Sequence, residues 1–113
     1  MNVCLGTDSL ATVCSTGKQV PVLDLFAEMR ALASLDPAIS AGEILEMVTR
    51  RGARALGLAG KIGELSPGAF ADVIALPFAG KISSIADAVL EHAGNVSASL
   101  IEGRWAVPPK HAR

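Results

Sequence analysis

The sequence predicts a mixed α/β chain, helical in its first half and built of strands and turns in its second. Three observations carry this. Val22, Leu25, Phe26, Met29, Leu32 and Ala33 recur at helical spacing. Ser40-Ala-Gly-Glu43 has the pattern of a capping box. Val96 to Ile101 alternates apolar and small polar residues, then passes through Glu102-Gly103 into Arg104-Trp-Ala-Val107, as a hairpin does.

Taken in order, Asn2-Val-Cys-Leu-Gly6 is a short apolar run that reads as a buried strand. Thr7-Asp-Ser9 lies at its C-terminal end, and the stretch through Gly17 and Lys18 is loop-like. The first helix runs from about Val20 to Leu35 and stops at Asp36-Pro37, because proline disfavours helix at the residue before it. The second follows the Ser40 cap to about Arg51, with Ile44, Leu45 and Val48 inward. A third short helix covers Gly52–Leu58 and is closed by Gly60. Lys61–Leu65 is strand-like, Ser66-Pro-Gly68 is a turn, and Ala71–Leu76 is a strand. Ser84-x-x-Asp87 caps a helix carrying Ile85, Val89 and Leu90, which Gly94 ends. Pro108-Pro109 stops the last strand. The character of the chain changes near Ala59-Gly60, which divides it into residues 1–59 and 60–113.

Composition narrows the function. The chain has 113 residues, half of them apolar, and a net charge of −1. Without a basic run, neither nucleic acid nor an anionic membrane is an expected partner. Charged residues interrupt every apolar stretch before it could span a bilayer, and the N-terminus lacks the basic region of a signal peptide. Cys4 and Cys14 read as reduced thiols of a cytoplasmic protein, and their spacing is not that of a zinc pair. A mean hydropathy of +0.43 is high for so short a chain. Part of its apolar surface is expected to lie against something outside this sequence, which makes a homo-oligomer the expected state.

Four motifs stand in sequence: Leu5-Gly-Thr-Asp-Ser9, Leu25-Phe-Ala-Glu-Met-Arg30, Thr49-x-x-Gly52-Ala-Arg-x-Leu56-Gly57 and Ile62-Gly-x-Leu65-x-Pro67-Gly68-x-x-Ala71-Asp72. Each is weak alone. Their joint order resembles the C-terminal third of the amidohydrolase superfamily, in the branch of chlorohydrolases and of guanine, S-adenosylhomocysteine and aminodeoxyfutalosine deaminases. The resemblance implies that residues 1–59 are the last strand and closing helices of a (β/α)8 metal-dependent hydrolase barrel. Residues 60–113 would then be the C-terminal part of a small composite β-sandwich. It also implies a parent that uses a divalent metal (zinc, or iron or manganese) to hydrolyse C–N, or less often C–Cl, bonds of a small ring substrate. In that reading Asp8 is both metal ligand and catalytic residue, helping to deprotonate the attacking water.

The residues by themselves leave more than one role open. A polar residue after a strand, such as Asp8, is often only a cap or an Asx-turn. The histidine ligands of the family are absent, since the chain has only His92 and His111, and both read as surface residues. Ser9 reads as a cap before it reads as a substrate contact. Glu28 reads as a solvated or salt-bridged helix residue, Trp105 as core or interface, and Cys4 as a small buried hydrophobe. The chain alone is expected to hold no metal and to be inactive. The alternative is a non-catalytic assembly or binding module derived from the same C-terminal segment.

Overall fold

The computed structural model describes residues 1–9 and 22–110. The readings made on Cys14, Gly17, Lys18 and His111 lie outside the described residues, as does the expected helix start at Val20. The described residues form three α-helices and then a three-stranded antiparallel sheet, with a fourth α-helix between its first two strands in sequence.

Helix α1 spans Leu25–Leu35. It begins later than its apolar period suggests because Asp24 caps it, accepting from the Phe26 backbone N–H at 2.9 Å. Val22 and Leu23 are left exposed ahead of that cap. Asp36 closes the helix, as the following proline requires. Helix α2 spans Ala41–Val48, and both halves of its capping box form. Ile44 is fully buried; Met47 is buried as well, whereas Leu45 and Val48 are only half-buried. With Met29 of α1 and Ala53 they make the apolar centre of the helical cluster.

At Thr49 the backbone leaves helical geometry, with φ −115° and ψ −96°. The Thr49 hydroxyl donates back to the Leu45 carbonyl at 2.6 Å, a bond that competes with the helix ladder. Helix α3 therefore starts at Arg50 and covers Arg50–Ala55. Its end differs from expectation. Gly57, at φ +72°, donates to Arg54 O, and Leu58 N donates to Ala53 O at 2.8 Å. This is a Schellman pair, so Gly57 ends the helix three residues before Gly60.

Lys61–Leu65 is not a strand. It is a chain of turns in which Lys61 N and Ile62 N both donate to Leu58 O. Gly63 explains why: at φ +76° it brings its backbone against Thr49, and a Cβ there would sit 2.6 Å from Thr49 O. The Ser66-Pro67-Gly68 turn forms as expected, with Ala69 N donating to Ser66 O and Gly68 at φ +88°.

Strand β1 is Val73–Ala75, β2 is Ala98–Ile101 and β3 is Arg104–Val107, in spatial order β1-β2-β3. Val73 pairs with Leu100 and Leu100 with Trp105, and a bulge follows at Ser99/Leu100. The turn residues Glu102 and Gly103 have φ +49° and +75°, the mirror-image turn that a two-residue hairpin favours. Between β1 and β2, helix α4 covers Ile85–Glu91 behind a short 3₁₀ turn at Ile82–Ser84. Ser84 does not cap α4 with its side chain; its hydroxyl donates to Lys81 O instead. The α4 helix ends at His92. An apolar groove of about 580 Å³ separates the helical cluster from the sheet, lined by Leu45, Leu65, Ile74, Phe78, Ile85 and Val89 among others.

Candidate functional site

Residues 1–9 have no regular secondary structure. The expected strand at Asn2–Gly6 is absent because a strand needs a neighbour, and no described strand lies beside it. Cys4 is accordingly exposed rather than buried. Backbone and side-chain bonds hold the segment to the helices. Leu5 N donates to Met47 O at 3.3 Å, and Asn2 Nδ2 donates to Arg51 O at 3.0 Å. Both acceptors flank the Thr49 break: Met47 lies in the last turn of α2, where carbonyls lack intrahelical partners, and Arg51 lies in the first turn of α3.

Asp8 lies three residues beyond the Leu5 anchor, exposed and at φ +56°. A left-handed conformation is uncommon outside glycine, and Asp is among the residues that tolerate it. Such positions recur at ligand clamps and active sites. Ser9, next to it, is also exposed. A metal needs more than this. A catalytic zinc takes about three protein ligands. Among the described residues, no three His, Cys, Asp or Glu side chains come together to hold an ion. Asp8 is a single carboxylate donor, and the described residues do not by themselves make a metal centre.

His92 is not the surface residue expected from sequence. It is half-buried, its ring edge meets Phe26 with centroids 5.0 Å apart, and its carbonyl accepts from the Arg30 guanidinium. Its Nε2 is buried with no hydrogen-bond partner among the described residues. Arg30 also approaches Asp24 at 3.9 Å. His92 thus belongs to the joint between α1 and α4, not to a ligand set. Glu28 sits in the first turn of α1, where a negative charge suits the helix N-terminus. Trp105 is 57% exposed on β3, so it is not core.

The motifs resolve largely into fold-determining parts. Phe26, Met29 and Arg30 fasten α1 to its neighbours. Thr49 and Gly57 begin and end α3, and Gly63 packs on Thr49. Asp72, which sequence reasoning assigned no role, accepts from Glu102 N–H at 2.7 Å and ties β1 to the hairpin turn. An acidic residue at a strand edge, set against a turn with free N–H groups, was the available signal.

A model of the amidohydrolase family matches residues 1–106. The chain belongs to the amidohydrolase family. Among curated relatives, the 5-methylthioadenosine/S-adenosylhomocysteine deaminase of Syntrophobacter fumaroxidans is 46% identical over 85 residues, 69% of this chain and 18% of that protein. The protein of the same name from Teredinibacter turnerae is 41% identical over 83 residues, 67% of this chain and 17% of that protein. The match therefore spans less than a fifth of either relative's length. A crystal structure of an amidohydrolase superposes with a TM-score of 0.56 at 29% identity, covering 73% of this chain and 19% of that one. This amidohydrolase chain is thus similar to one limited part of much larger proteins. No helix among the described residues is long and apolar enough to cross a membrane.

Proposed function

We propose that this chain forms the C-terminal part of a metal-dependent deaminase and that Asp8 is the metal ligand it contributes. In this reading residues 1–59 are the last strand and closing helices of a (β/α)8 barrel. Residues 60–113 belong to a β-sandwich completed by other strands of the enzyme. The exposed, left-handed Asp8, held beside the α2–α3 break by the Leu5 and Asn2 anchors, carries the proposal. Active-site residues of such barrels lie at the C-terminal ends of strands, where a polar residue after Leu5-Gly6 would sit. The deaminase names of the matched relatives support hydrolysis of a C–N bond on an aminopurine-type small molecule. The chemistry a divalent cation supplies in such a site is a water acidified to ionise near neutral pH. This chain's share is one carboxylate, and histidines from elsewhere in the enzyme complete the ligand set.

The test is Asp8→Asn in an intact enzyme that carries this segment. Metal content and turnover are both expected to fall by orders of magnitude, with the fold retained. A variant that keeps its metal and its turnover refutes the assignment.

A further inference from the structure

We draw no further inference here: the strongest candidate, the apolar groove of about 580 Å³ between the helical cluster and the sheet, lined by Leu45, Ile74, Ile85 and Val89 among others, carries nothing because nothing in the structure shows what covers it.

Discussion

The Asp72 carboxylate accepts a hydrogen bond from the backbone N–H of Glu102 at 2.7 Å, across thirty residues of sequence. Beside it, Gly103 N donates to Ala71 O at 3.0 Å. The two bonds clasp the hairpin turn to the start of β1. A carboxylate acceptor makes this stronger than a neutral bond, though solvent exposure trims it. Asp72→Ala should destabilise the chain by about 1 kcal/mol in urea unfolding. Hydrogen exchange at the Glu102 and Gly103 amides should quicken ahead of that at Leu100.

Gly63 and Gly60 offer a controlled pair. Both have φ near +75°, so alanine at either is strained by about 1 kcal/mol. A Cβ at Gly60 meets nothing within 4 Å, whereas one at Gly63 meets the Thr49 carbonyl. Gly63→Ala should therefore cost clearly more than Gly60→Ala, by roughly 1–3 kcal/mol, since backbone must move. Denaturant midpoints of the two variants check this. Equal midpoints would mean that Gly63 does not brace the α2–α3 break.

The capping box at the head of α2 should make that helix sensitive to acid. The Ser40 backbone N–H and then its hydroxyl hold the Glu43 carboxyl below its ordinary value of 4.5. A carboxyl depressed on folding adds stability above its unfolded value and loses it as pH falls through the folded one. Unfolding of α2, followed by exchange at Ile44 and Met47, should therefore become easier below about pH 4.5. Ser40→Ala should remove about 1 kcal/mol at neutral pH and flatten that acid dependence.

The chain by itself should not turn over aminopurines or aminotriazines, whether given zinc, manganese or iron. One carboxylate cannot hold a catalytic ion at useful affinity, which takes about three protein ligands. An assay across these metals, with Asp8→Ala beside it, is the check. Turnover above a metal-free blank that disappears in the variant would contradict this expectation.

Elements with a local cause were legible in the sequence. The capping box of α2 needs only Ser40 and Glu43, and the hairpin needs only Glu102-Gly103 between two apolar strands, so both were recoverable from spacing. Elements with a distant cause were not. Asn2–Gly6 reads as a strand, but strand formation depends on a neighbour that its own letters do not specify. Lys61–Leu65 failed for a related reason, because Gly63 answers to Thr49, fourteen residues away. His92 was misread since its burial comes from Phe26 and Arg30 on another helix. Of the site, Asp8 came from the family pattern of Leu5-Gly-Thr-Asp-Ser9; helix and strand periodicity does not mark a single carboxylate.

The anchoring of residues 2 and 5 has a mechanical consequence. Met47 and Arg51 stand on either side of the Thr49 break, one at the tail of α2 and one inside α3. Their carbonyls hold the segment that leads to Asp8 against both helices. Any change in the angle between those helices alters the spacing of the two acceptors and so pulls on the segment they hold. The placement of Asn2 and Leu5 is therefore coupled, far downstream in sequence, to the threonine hydroxyl and the glycine that shape that break.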